Sequence, residues 1–258
     1  MRYVASCSFG KDSVATVILA KMHNEPLDEV VYCEVMFDEN TSAEVPEHAK
    51  FIHEVAIPTF ESWGIKVTIL RAEGKNFIER FNHLVGKGPN IGKRWAWPLC
   101  NRCYVQRDLK VRPIEKWKRT IDKNTVQYLG IATDEQERLM RLDGVKKLSL
   151  LKKYGLTEDD AMQLCRDWGL LSPVYEFTDR GGCFFCPNAK EKELRHLCIF
   201  HPALWLSLIL LQALPNKTTD RWNRTETFYD IDARIRKGIE PAPKCRRCNR
   251  RKNDTCKN

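Results

Sequence analysis

Ser6-Cys7-Ser8-Phe9-Gly10-Lys11-Asp12-Ser13 is the stretch on which the reading of this chain turns. A short strand-like run, Arg2-Tyr3-Val4-Ala5, precedes it, and Val14, Val17, Ile18 and Met22 follow at helical spacing. A small-residue loop between a strand and a helix N-terminus binds anions, because unpaired backbone N–H groups and the helix dipole both favour negative charge there. Gly10 lets the backbone approach a ligand closely, Lys11 adds a point charge, and Ser6, Ser8 and Ser13 add hydroxyl donors. The plainer alternative is an ordinary strand-to-helix turn closed by small residues.

The loop is not of the Walker A kind, which needs an earlier glycine and a Ser or Thr directly after the Gly-Lys pair. Here Asp12 follows Lys11, and no glycine precedes Gly10. Working outward, Glu29–Phe37 is β-rich and ends at Asp38, Ile65–Leu70 reads as a strand, and Thr125–Ala132 reads as another. Helical patterns lie between them at Val45–Val55, Asn76–Leu84 and Leu109–Trp117, the last with Pro113 placed to bend or open it. Alternating strands and helices predict an α/β fold: a doubly wound, mainly parallel sheet with helices on both faces. Ligands of such sheets sit at the carboxyl ends of strands, where the 6–13 loop, Asp38 and Thr133-Asp134-Glu135 all fall.

Beyond about residue 140 strand signals fade. Thr157 with Glu158, Asp159 and Asp160 predicts a helix start, and Leu194–Leu214 is helical with a break near Pro202. From Pro215 the chain is polar, and from Lys244 onward seven Lys/Arg face one acid. The expected division is a nucleotide-binding domain over 1–140, a helical region over 141–215 and a basic cysteine-containing tail over 216–258.

The chain has 258 residues, 43 Lys and Arg against 34 Asp and Glu, and a net charge of +9, which points to polyanionic partners: nucleotide, tRNA or DNA, the nucleic acid through the tail. The apolar run Leu204–Leu214 is too short to span a bilayer, and Arg2 leads straight into a strand, so no membrane contact and a cytoplasmic location are expected. In that compartment eleven cysteines, an odd number, indicate metal or redox chemistry rather than disulfides. Cys100 and Cys103, and Cys183 and Cys186, have the two-residue spacing that puts two thiolates on one tetrahedral centre; together they make a four-thiolate site for zinc or an iron–sulfur cluster. Cys245, Cys248 and Cys256 allow a second metal knuckle, a sulfur-relay arm or a plain basic tail. Cys7 and Cys33 are most simply packed thiols. Lys93-Arg94-Trp95-Ala96-Trp97 can stack bases, but buried tryptophan anchors are the favoured reading. The six histidines show no ligand spacing that stands out.

Five stretches in order carry a family resemblance: the Ser8-Phe9-Gly10-Lys11-Asp12-Ser13 loop, Phe37-Asp38-Glu39-Asn40-Thr41 with Val45-Pro46-Glu47, Cys100 to Ile114, Gly130 to Arg138, and Ser172 to Pro187. Together they resemble the phosphoadenosine phosphosulfate reductase-like branch of the PP-loop ATP pyrophosphatases. The resemblance implies an adenine nucleotide alpha hydrolase-like fold and a helical cysteine-containing C-terminal region. It implies ATP and Mg²⁺ held by Ser6, Ser8, Phe9, Gly10, Lys11, Asp12, Ser13 and Asp38, with Asp134, Glu135 and Arg138 at the reacting end. It also favours a 4Fe-4S cluster over zinc. The Glu-Cys-Gly-aliphatic-His setting of true phosphosulfate reductases is missing, so the resemblance favours members that adenylate a substrate and exchange AMP for sulfur. Two rivals stay open: a reductase of adenylyl-sulfate compounds, and a zinc-stabilised nucleic-acid-binding module. The acceptor, the sulfur donor and the oligomeric state, a homodimer included, stay open too.

Overall fold

The computed structural model describes residues 1–98 and 103–238. Cys100, Cys245, Cys248 and Cys256 lie outside the described residues, as do the expectations for the tail beyond residue 238. Strands β1 (Tyr3–Ser6), β2 (Glu29–Cys33), β3 (Lys66–Leu70), β4 (Val126–Leu129) and β5 (Lys147–Leu148) form one sheet in the order β3-β2-β1-β4-β5, every neighbouring pair parallel. This is the α/β class expected from the sequence. The order reverses between β1 and β4, where such sheets open a crevice at their carboxyl ends. Register places Ser6, the last residue of β1, beside Leu129, the last of β4, and beside Val31 of β2, which runs two residues further. All five β2 residues are buried, as a central parallel strand requires.

The helices are α1 (Lys11–Met22), α2 (Pro46–Phe51), α3 (Ile57–Ser62), α4 (Phe77–Asn82), α5 (Arg112–Lys118), α6 (Gln136–Leu139), α7 (Leu150–Tyr154), α8 (Glu158–Asp167), α9 (Glu191–Phe200), α10 (Pro202–Ala213) and α11 (Phe228–Lys237). Two π-helical turns, Ile52–Ala56 and Gln106–Val111, lead into α3 and α5. Each comes just ahead of a proline, Pro58 and Pro113, whose missing N–H and bulky ring disturb the hydrogen-bond ladder of the turn before it. Thr157 and Asp160 form the capping box that starts α8, where the sequence predicted a helix start.

The described residues pack around two apolar cores. The first joins the sheet to α1, α2, α3, α7 and α8 through Val14, Val17, Ile18, Phe60, Leu151 and Cys165. The second joins Val35, Phe37, Phe77, Trp97, Leu109 and Phe185 to Trp205, Trp222 and Phe228. Residues 150–170 thus pack with the sheet, while 77–98 and 103–109 pack with the C-terminal helices.

Three local expectations are corrected. The β2 strand stops at Cys33 rather than Phe37. Beyond it the buried Glu34 carboxylate is held by Arg71 at 2.7 Å and His53 at 3.1 Å, and the chain folds back so that Ala43 N–H donates to Val35. The polar-looking 216–238 segment contains α11, opened by a Thr227–Asp230 capping box and buried through Phe228, Ile231 and Ile235. β5 is only two residues long, too short to show a period in the sequence. No single described helix is long and apolar enough to cross a membrane, and the α9–α10 pair is bent by 111°.

Candidate nucleotide and metal site

The loop after β1 is held in shape by its own atoms. Phe9 occupies the left-handed region at φ 58° and is fully buried, its ring against Tyr32 and Phe60. That backbone costs a non-glycine residue of order 1 kcal/mol or more, so the packing of the ring has to hold it. Ser13 Oγ donates to the Gly10 carbonyl at 2.9 Å and accepts from Ser8 N–H at 3.3 Å. Lys11 N–H donates to the Tyr175 hydroxyl at 2.9 Å. His48, buried, has Nδ1 2.8 Å from Ser172 Oγ, and its ring also hydrogen-bonds the Ser8 backbone; burial holds its pKa below the ordinary value. The Ser172-Pro173-Val174-Tyr175 segment therefore clasps the loop at two points.

Gly130, just after β4, has a specific reason to be glycine. A Cβ there would stand 2.7 Å from the Asp12 carbonyl and from Ser13 N. The β4 end and the first turn of α1 touch backbone to backbone, and this closes the crevice around a cavity of about 260 Å³. Ser6, Ser8, Ser13, Cys33, Lys110 and Arg138 are among its lining residues. That size is near the lower end of small-molecule sites, roughly 300 Å³, and suits part of a nucleotide.

Lys11 does not line this cavity. Its ammonium is buried between Asp12 Oδ1 at 2.9 Å and Glu158 Oε2 at 2.6 Å. Burial alone would lower its pKa, but the two carboxylates outweigh that and raise it. Asp12 is raised, first by burial and further by Glu158 and Glu135, against the lowering pull of Lys11. Asp134 caps α8 by accepting from Glu158 N–H at 3.3 Å, and Glu135 pairs with Arg138. Asp12 and Glu158 both meet the Lys11 ammonium and Glu135 acts on Asp12 from nearby, a grouping of hard oxygen donors that suits Mg²⁺. Asp38 lies five positions past the end of β2 and caps its own turn, accepting from Asn40 N–H at 2.9 Å and Thr41 N–H at 2.7 Å.

The cation that sequence reasoning missed is Lys110. It lies in the π turn Gln106–Val111, against β2, where the Cys33 thiol donates to the Leu109 and Lys110 carbonyls at 3.5 Å. Burial raises the Cys7 and Cys33 thiols to about 11 each, and the Lys110 charge opposes the rise. Burial likewise raises the Cys183 thiol, Glu44, Cys186 and Cys103 add to it, and Lys110 again opposes. One ammonium thus acts on the loop cysteine, the strand cysteine and the Cys183 group together. Cys165 is raised by burial to about 12 and donates to the Lys11 carbonyl at 3.3 Å; it is a packed thiol.

Cys183 bridges to Glu44, and Phe184 N–H donates to the Ala43 carbonyl, so the Cys183–Cys186 turn lies along the segment before α2. Phe184 and Phe185 are buried, the latter stacked on Phe77 at 3.8 Å. Arg180 hydrogen-bonds Cys186, and the Cys103 sulfur accepts from Gln106 N–H at 3.4 Å at the start of the π turn. Cys103, Cys183 and Cys186 thus lie near enough for Cys186 and Cys103 to act on the Cys183 thiol, in an apolar surround with N–H donors at two sulfurs, though the three sulfurs are not all within 4.8 Å of one another; thiolates are the ligand type that zinc and iron–sulfur clusters take. Trp97 is buried and its indole N–H donates to Gln212 at 3.0 Å, while Trp95 is covered by Arg80, so both tryptophans are packing anchors.

No protein-family model and no curated relative matches the chain. Among solved structures it is similar to the U34-tRNA thiolase NcsA from Methanococcus maripaludis with its 4Fe-4S cluster, at TM-score 0.42 and 14% identity over 96% of this chain and 79% of that one. At that distance the likeness assigns neither site nor activity to this chain.

Proposed function

We propose that the protein is an ATP-dependent sulfur-transfer enzyme of the PP-loop kind, forming AMP and pyrophosphate. The observation that carries this reading is the shared place of Lys110: it lines the loop cavity, and its charge reaches Cys183. In this reading the Ser8 and Ser13 hydroxyls, Lys110 and Arg138 hold the phosphates, and Asp12 supplies an oxygen to Mg²⁺. An oxygen of the acceptor attacks the α-phosphorus, and the bond to the bridging oxygen breaks. Pyrophosphate leaves with the electron pair, its growing charge met by the loop and Lys110. A sulfur nucleophile then displaces AMP from the activated acceptor. Lys11 stays with Asp12 and Glu158 and fixes where those acids point. Cys100, Cys103, Cys183 and Cys186 would hold the iron–sulfur cluster or zinc, which supplies a thiophilic centre where sulfur is held beside the activated acceptor.

The chain's positive charge favours a nucleic-acid acceptor. Anaerobically purified protein is incubated with ATP, Mg²⁺, sulfide and either bulk tRNA or DNA, and the digested nucleosides are weighed. A nucleoside with one oxygen replaced by sulfur, formed only when ATP is present, is the expected result. Sulfite released from an adenylyl-sulfate compound, with no thiolated nucleoside, would contradict it.

A further inference from the structure

Away from the loop cavity, three side chains from distant parts of the chain meet at one carboxylate. Glu47 stands in the first turn of α2, His196 lies in α9, and His201 is the residue at the bend between α9 and α10. Both imidazoles turn Nε2 toward the same Glu47 oxygen, His196 at 2.7 Å and His201 at 2.9 Å. The other carboxylate oxygen, Oε2, is buried with no hydrogen-bond partner. The three ligand atoms all lie within 4.8 Å of one another, and among the described residues this is the one such group of three His, Cys, Asp or Glu.

Hydrogen bonding alone accounts poorly for this geometry. A carboxylate with two donors at hand satisfies itself best with one on each oxygen. Here both donors crowd one oxygen, and the buried second oxygen costs roughly 1–3 kcal/mol unpaired. A cation between the three groups draws on both oxygens. The His196 ring lies flat on Phe177 at 3.6 Å, and the His201 backbone is fixed by hydrogen bonds to Leu197 and Trp205. The side chains are 16%, 20% and 29% exposed for His196, His201 and Glu47, shielded yet reachable from solvent.

We propose that Glu47, His196 and His201 form a zinc site, separate from the cysteine centre, with its fourth position open to water. Zinc takes imidazole nitrogen and carboxylate oxygen at about 2.0–2.2 Å, which sets neighbouring tetrahedral ligand atoms roughly 3.4 Å apart. The two short contacts then have to open by about 0.5–0.7 Å, within side-chain reach. Each Nε2 ligates with the ring proton on Nδ1. The ion clamps α2, which packs in the sheet core through Phe51, to the α9–α10 bend of the second core. Glu47 directly precedes His48, whose ring holds the Ser8 backbone, so the clamp also steadies the phosphate loop. None of this depends on what the loop binds.

Co²⁺ separates the two sites in the full-length protein, because thiolate ligation gives intense near-ultraviolet charge-transfer bands and imidazole–carboxylate ligation gives only weak visible bands. Titrating metal-free protein with Co²⁺, then displacing it with Zn²⁺, is expected to show both classes in the wild type. Cys183→Ser should weaken only the thiolate bands. His201→Gln and His196→Gln keep an N–H for Glu47 but offer no imidazole; each should lower the affinity of the second class at least tenfold and leave the thiolate bands intact. Metal-free melting curves of these two variants should overlay the wild type, which separates ligand loss from misfolding. Wild-type protein that shows thiolate bands alone, or an unchanged second class in both histidine variants, overturns the proposal. A second class that holds Fe²⁺ in preference to Zn²⁺ overturns its choice of metal.

Discussion

Gly130→Ala puts a close backbone-to-backbone approach under load. The added methyl would stand 2.7 Å from the Asp12 carbonyl and Ser13 N, against the 3.4 Å of ordinary contact. Either β4 or the first turn of α1 must therefore retreat by about 0.7 Å. The α1 turn is held from the far side. Lys11 is paired with Glu158, Cys165 donates to the Lys11 carbonyl at 3.3 Å, Thr16 donates to the Asp12 carbonyl at 2.8 Å, and Tyr175 takes the Lys11 N–H. Overpacking of a closed contact costs roughly 1–3 kcal/mol, which for a chain of this size lowers Tm by about 2–12 °C. If the turn yields instead, the loop groups that hold phosphate in the proposed function move by most of an ångström, and misplacement on that scale lowers turnover about a hundredfold. Differential scanning calorimetry read beside pyrophosphate release measures both. A variant that melts within roughly 1 °C of wild type and turns over ATP at the same rate would refute the close contact and the reasoning built on it.

Asp108 is almost fully buried and is met by Arg80 at 2.5 Å, Arg107 at 2.7 Å and Arg112 at 3.0 Å. Asp108→Ala leaves these cations without their common partner and is expected to destabilise the fold by about 3–5 kcal/mol in denaturant unfolding. Burial pushes the Asp108 carboxyl up, yet Arg107 and the other guanidiniums outweigh it and hold its pKa below the ordinary 3.8. Its contribution is therefore complete above about pH 4 and is lost as pH falls through the lowered folded value. Asp108→Asn should flatten the stability profile in that acid range and nowhere above it. Thr227→Ala removes the hydroxyl that caps α11 and is expected to cost about 1 kcal/mol, read as a parallel shift of the unfolding midpoint.

The loop after β1 and the sheet were legible in the sequence because they rest on local chemistry: a strand, small residues, then a helix start. The same holds for Thr157, whose cap depends only on Asp160 three residues away. The role of Lys11 was not legible. Its position in the loop suggests a phosphate contact, but Glu158, a partner 147 residues distant, turns the ammonium away. Lys110 was hidden for a related reason. A lysine in a helical pattern reads as solvated surface, and only the π turn ahead of Pro113 brings it over the strand ends. His196 and His201 share no helix face, and it is the 111° bend between them that brings both to Glu47. Helix α11 could have been found: Thr227 and Asp230 frame a capping box, and Phe228, Ile231 and Ile235 mark one face. The polar stretch before it, Asn216 to Arg224, obscured that signal.

In the proposed function the crevice below the first loop handles the phosphates of ATP with Lys110 as its cation. The direct measurement is product analysis of α-labelled ATP and pyrophosphate, with Mg²⁺ and the acceptor present, for wild type and Lys110→Met. Equal amounts of AMP and pyrophosphate from the wild type, and at least about a tenfold lower rate from a Lys110→Met protein that melts normally, are predicted. Labelled ADP as the product, or the same rate from both proteins, would contradict the account.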